Sequence, residues 1–128
     1  MATLIQIDKD TSIRDSILKS TKAMLGIIQD YDIFDEQLIM LINTQFSTLH
    51  QLGVGPDEGF SITGDDETWT DYMGSSKLLN LVITFVHLNV RLLFDPPTNS
   101  YAVDAMRKAI DEYTWRINVF VDQKKKDE

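Results

Sequence analysis

The chain contains no cysteine, so neither a disulfide nor a thiolate metal site can staple it. That composition agrees with a reducing cytosol. Histidine is nearly absent too: His50 and His87 are the only two. They fall on separate predicted helices with no E-x-x-H spacing, which removes the usual histidine metal and nucleophile motifs. No long apolar run exists either. The most apolar segment, Leu78 to Phe94, is interrupted by Asn80, His87, Asn89 and Arg91. It is too short and too polar to span a bilayer, and it reads as a buried core helix. The opening MATLIQIDKD lacks a basic region followed by an apolar one, so no secretory leader is expected.

What is missing most tellingly is positive charge in the middle. Residues 27–75 hold ten acidic side chains and no Lys or Arg. Residues 1–26 carry four basic and three acidic groups, and residues 76–128 carry eight and seven. The net charge of −8 therefore belongs to the central third. It argues against ordinary nucleic-acid binding, which needs clustered Lys and Arg. Solvated surfaces normally intersperse the two signs, so the segregation calls for a function.

With 128 residues and 43% hydrophobic content, the chain fits a single helical domain with one modest core. Residues 1–11 and 122–128 are expected as flexible tails. A first helix is predicted from Ser12 to about Leu25, with Ile13, Ile17, Leu18, Met24 and Leu25 on a rough apolar face and Gly26 as its stop. After the connection QDYDIFDEQ, Asp35 can cap a second helix, with Ile33 or Phe34 packed back as a staple. This helix, Glu36 to Leu52, spaces Leu38, Ile39, Ile42, Phe46, Leu49 and Leu52 helically.

Residues 53–76, GVGPDEGFSITGDDETWTDYMGSS, hold five of the six glycines, Pro56 and six acids. A long excursion with a short strand pair around Phe60-Ser61-Ile62 is expected. Its apolar residues, Phe60, Ile62, Trp69, Tyr72 and Met73, predict that it folds back onto the body. The third predicted helix, Lys77 to Phe94, is apolar around most of its circumference and should be surrounded by others. Arg91 within it is expected to pair with a buried carboxylate or with helix-end carbonyls.

The joint comes next. Phe94, Asp95, Pro96 and Pro97 form a stiff hinge, because a residue before proline is pushed out of the helical region. Thr98, Asn99 or Ser100 can cap the last helix. There Val103, Met106, Ile110, Tyr113, Ile117 and Phe120 step by three and four, a seam for packing on the previous helix. The fold class predicted is all-α, a four-helix bundle-like domain with a long acidic loop between the second and third helices.

Chemistry is sparse. GVGPDEG lacks the G-x-G-x-x-G spacing and follows a helix where a dinucleotide site needs a strand. GFSITG misses the G-x-S-x-G elbow. Asp65, Asp66 and Glu67 do not follow a calcium-loop order and read as a solvated loop tip. Lys124 to Lys126 read as a solubilising tail. His87 reads as a core or inter-helix hydrogen-bonding residue. No catalytic, metal or cofactor site is predicted, and the chain is not expected to be an enzyme.

The run VRLLFDPPTNSYAVDAMRKAIDEYTWRINV, with QLGVGPDEGFSI and Trp69 upstream, resembles head–tail connector (adaptor) proteins of long-tailed bacteriophages infecting Gram-positive bacteria. The likeness covers about residues 12–120 and leaves residues 1–11 and the KKKDE end unmatched. It implies a structural virion protein of the neck, made in the host cytoplasm and assembling as a ring, commonly dodecameric, beneath the portal protein. Such a ring joins capsid to tail through a stopper or tail-completion protein, and DNA passes through it without sequence-specific binding. It implies no cofactor and no membrane. On that reading Asp57, Glu58, Asp65, Asp66, Glu67 and Asp71 face the lumen or a basic partner surface. The rival reading of the acidic block is a small acidic DNA-mimic inhibitor of the anti-restriction or anti-repressor type.

Overall fold

A computed structural model describes residues 13–127; Ser12 and residues 1–11, expected as helix start and tail, lie outside the described residues. The fold is all-α: α1 (Ile17–Leu25), α2 (Asp35–Gln51), α3 (Trp69–Met73), α4 (Leu79–Phe94) and α5 (Ser100–Asp127). The central element is α4. Both α2 and α5 pack chiefly on it, while α1 and α3 close the remaining sides. Leu38, Ile42, Phe46 and Leu49 of α2 meet Val82, Phe85, Val86 and Val90 of α4 in one core, joined by Ile17 and Leu18. The apolar girth of α4 has this cause: a helix touched from several sides must be oily on several sides.

Helix α1 starts where Ser16 turns extended and its hydroxyl accepts from the Lys19 N–H at 3.2 Å. Gly26 ends it in the left-handed region, φ 78°, which costs a glycine almost nothing. Lys22, on the inner face, is buried. Its ammonium meets Asp35 at 2.9 Å and donates to the Gln29 carbonyl at 2.9 Å. Asp35 is thus the first residue of α2 and a counter-ion to Lys22. The cap position belongs to Phe34, which makes no side-chain cap bond. The expected staple is partly present: Ile33 is exposed, whereas Phe34 meets Phe94 edge-on at 5.2 Å.

Two expectations are corrected. Among the described residues there is no hairpin at 60–62; the one isolated bridge joins Ser16 to Thr68. Ile62 instead exchanges two hydrogen bonds with the side chain of Asn43, its N–H donating at 2.8 Å and its carbonyl accepting at 3.0 Å. An amide side chain has satisfied the backbone that a partner strand would have served. Arg91 is exposed on the outer side of α4 and keeps its charge in water, so no buried carboxylate is required. The C-terminal DQKKKD is exposed and lies within α5, which continues to Asp127.

A candidate assembly surface

The acidic excursion is a strap laid across the body. Trp69 is buried and donates from its indole N–H to the Ser20 hydroxyl at 2.9 Å. The Ile17 N–H donates to the Glu67 carbonyl at 3.1 Å, and the Ser16 hydroxyl to the Asp65 carbonyl at 2.8 Å. Phe46 gathers Phe60, Trp69 and Tyr72 around it, with ring centroids 5.4, 6.0 and 4.5 Å away. Tilted and edge-on aromatic contacts of this kind add to the burial itself. At Gly55, φ 92°, a Cβ would fall 2.7 Å from Tyr72 Cε1, so only glycine lets the strap close there.

This folding sorts the six acids. Asp71 completes a capping box with Thr68 at the start of α3: each side chain accepts from the other residue's backbone N–H. Glu67 is half-buried and accepts from the Thr63 N–H at 2.7 Å and the Thr63 hydroxyl at 3.0 Å. Burial pulls its carboxyl upward, but these bonds and neighbouring backbone N–H groups outweigh that and hold it below the usual range. Both residues are local structural ties. The other four are exposed, in two separate groups. Asp57 and Glu58 sit beyond the C-terminal end of α2, where the Asp57 carbonyl meets the His50 ring at 2.9 Å. Asp65 and Asp66 sit beside the first turn of α1, with Asp65 4.0 Å from Lys19.

At the other end of the body is the elbow. The Asp95 N–H still donates to the Arg91 carbonyl at 2.9 Å, but its backbone, φ −147° and ψ 68°, has left the helix. Asn99 restarts it by accepting from the Tyr101 N–H at 2.7 Å. Phe94 is half-buried and clasped by Phe34, itself 5.8 Å from Tyr31. The turn between α4 and α5 is therefore pinned by the α1–α2 connection as well as by Pro96 and Pro97.

Helix α5 is the least covered element. Of the seam, only Ile117 is fully buried; Val103, Met106, Ile110, Tyr113 and Phe120 are half-buried. Its outer side carries Tyr101 at 85% exposure and Trp115 at 65%. The outer side of α2 is unusual in the opposite way. From Gln37 to Gln51 there is no Asp, Glu, Lys or Arg, and Met40 is 71% exposed. Reading apolar periodicity alone misses both faces. The fifteen-residue uncharged run QLIMLINTQFSTLHQ is the signal that finds the second, since surfaces ordinarily carry charge at that length.

The polar groups in the core are few. His87 Nε2 is buried without a hydrogen-bond partner among the described residues, beside the Trp69 ring at 5.8 Å. The inter-helix bond expected of His87 is therefore not made through that nitrogen, and burial lowers its pKa to about 4. Burial likewise raises the Tyr72 phenol, whose hydroxyl also has no partner. Among the described residues no cluster of His, Cys, Asp and Glu is arranged to hold a metal ion, and no helix is long and apolar enough to cross a membrane.

What the molecule offers is surface. Comparison with curated proteins and with solved structures returns no match. A sequence profile of the phage connector protein family, by contrast, matches residues 17–124. That stretch begins at the first residue of α1, takes in the strap and the elbow, and runs into the lysines of α5, so the chain belongs to the phage connector protein family, the structural components that link a phage head to its tail.

Proposed function

We propose that this chain is the subunit of a closed ring, commonly dodecameric, seated beneath the portal protein at the DNA exit. There it receives a stopper or tail-completion protein on its far side. It is made in the host cytoplasm and joins the virion neck on assembly. The observation that carries this reading is α5: a 28-residue helix with one fully buried side chain, set at a fixed angle by a pinned elbow. A monomer gains little from so long and bare a helix, whereas a ring subunit needs faces held at a constant angle so that the ring closes.

The charge pattern fits the same role. An acidic conduit repels the duplex toward its axis, while a basic one would hold phosphates through counterion release. Asp57, Glu58, Asp65 and Asp66 are the exposed carboxylates of this segment and the ones placed to act so, on the lumen or against a basic partner. The rival role, a small acidic DNA-mimic inhibitor, requires carboxylates spaced along a surface like phosphates. Two groups at separate turns do not supply that spacing.

Mixing the purified chain with its portal protein and measuring mass by light scattering tests the proposal. A stable complex with several copies per portal ring is expected. A chain that stays monomeric and unbound would overturn it. Replacing the four exposed acids by Asn and Gln should leave folding intact and slow DNA packaging or tail joining. Normal particles from that variant would remove the acids from the mechanism.

A further inference from the structure

Six of the eight large apolar or aromatic side chains exposed among the described residues stand at one end of the molecule. Ile28, Tyr31, Ile33 and Phe34 belong to the α1–α2 connection, Leu93 to the last turn of α4 and Tyr101 to the first turn of α5. Phe34 links Tyr31 to Phe94 by ring contacts, so the connection and the elbow make one surface. Slack does not explain the exposure. The Ile27 N–H donates to the Lys22 carbonyl at 2.9 Å, the Tyr31 N–H to the Ile28 carbonyl at 3.0 Å and the Asp35 N–H to the Asp32 carbonyl at 3.1 Å. The Gln29 side-chain amide donates to the Lys19 carbonyl at 3.0 Å, and the Gln29 carbonyl accepts from the buried Lys22 ammonium. A connection tied at each turn holds its apolar side chains in a fixed arrangement, which spares a partner the entropy of ordering them.

The patch contains a hollow of about 440 Å³ lined by Gly26, Ile27, Ile28, Asp30, Tyr31 and Phe34. Aliphatic and aromatic walls with one carboxylate suit a long-stemmed cation. Its stem can lie on the apolar walls, its head can meet Asp30, and the ring faces add attraction. The surrounding charge is mostly of one sign. Asp30, Asp32, Glu36 and Asp95 are exposed, while Asp35 is already held by Lys22 at 2.9 Å. No Lys or Arg occurs from 27 to 75; against the four free acids stands Arg91, one turn back from Asp95, and Asp104 adds a further exposed acid one turn into α5.

The chain's own basic residues do not match this surface. On α5, Arg107, Lys108, Arg116 and the lysines at 124–126 are interleaved with Asp104, Asp111, Glu112, Asp122 and Asp127. The long helix of a second copy therefore offers no apolar face of one positive sign. Residues 1–12 hold Lys9 between Asp8 and Asp10. We infer that the elbow end docks a different protein of the neck, through a segment that carries a lysine or arginine among apolar side chains. The cation enters the hollow against Asp30, and its apolar neighbours cover Ile28, Tyr31 and Leu93. The inference rests on the reading of the chain as a subunit beneath the portal, and it names the face by which that subunit holds its neighbour.

The probes are purified portal rings and, separately, the purified tail-completion protein of the same phage, each titrated with the full chain. One of the two should bind it with an affinity that falls as salt is added. Tyr31→Ala should weaken that complex roughly thirtyfold, as the loss of a central aromatic anchor does. Asp30→Asn should weaken it less and flatten its salt dependence. Ile28→Ser should weaken it while leaving the denaturant midpoint of the chain unchanged. A lowered midpoint for Ile28→Ser would mean that the patch is covered from within the chain, and would overturn the proposal. Self-association lost in these variants with probe binding intact would give the patch to a second copy, and would overturn it too. Variants that bind and self-associate like the parent chain would remove the docking surface while leaving the subunit beneath the portal. A parent chain that binds neither probe would remove both.

Discussion

The strap of residues 53–76 and helix α5 are similar in length and opposite in construction. The strap has little regular structure, yet it places Val54, Ile62, Trp69 and Tyr72 in the core and ties itself to α1 and α2 with side-chain and backbone hydrogen bonds. Helix α5 is perfectly regular and places one residue there. Regularity and burial are therefore separate properties in this protein. The strap belongs to the folding unit. The long helix is a rail fixed to that unit along one edge, with its remaining surface available to other molecules.

The sharpest way to break the comparison is through the strap. Trp69→Ala removes an indole wedged between Phe46 and His87 and leaves the Ser20 hydroxyl without its donor. It should cost about 4 kcal/mol, read as a drop in the denaturant midpoint. A smaller loss would mean that the strap is dispensable to the core. Lys22→Ala strands the Asp35 carboxylate and frees the Gln29 carbonyl, with an expected loss of about 3 kcal/mol. Because Gln29 lies on the α1–α2 connection and Asp35 begins α2 at its end, loosening there should also show as faster amide exchange at 27–34.

The pH dependence is a gentler probe of the same region. His87 resists its proton in the fold, with a pKa of about 4 against an ordinary 6.5, so the unfolded chain binds more protons between those values. Stability should be full above pH 6.5 and fall as pH drops toward 4. His87→Gln should flatten that window. Glu67, held below the ordinary 4.5, gives stability that is present above that value and is lost only in stronger acid. The two residues thus titrate in successive windows. On the rail the expectation is the reverse: Trp115→Ala should change folding stability by about 0.5 kcal/mol or less, measured by the same denaturant titration. A large loss there would mean the indole packs within its own chain.

The three long helices were legible because each presents an apolar stripe whose spacing admits one explanation, and Gly26 and Asn99 stand where stops and caps belong. The excursion was legible only in outline. Its apolar residues say that it returns to the body, but nothing local says that Asn43, nineteen residues away, will act as the partner of Ile62. Lys22 illustrates a different limit. A lysine among Ser, Thr and Ala on a short helix reads as solvent-facing, and its burial depends on Asp35 arriving from the next helix. Arg91 is the mirror case, a charge on an oily helix that simply lies on the outer side. Among the acids, the T-x-x-D spacing of Thr68 and Asp71 could have shown that Asp71 is engaged in a cap. The tie between Glu67 and Thr63 depends on a turn that sequence alone does not specify.

The anchors of α1 also impose an order of events. Ser16, Ile17 and Ser20 are held by groups at 65, 67 and 69, close to fifty positions later in the chain. During synthesis the N-terminal end of the first helix therefore lacks these anchors until more than half the polypeptide has emerged, and closing so large a loop costs entropy before those contacts repay it. Helix α5 comes last and covers the remaining side of α4 with Ile117. On the ring reading proposed above, a subunit built in that sequence acquires its exposed rail last, which keeps unfinished chains from joining one another.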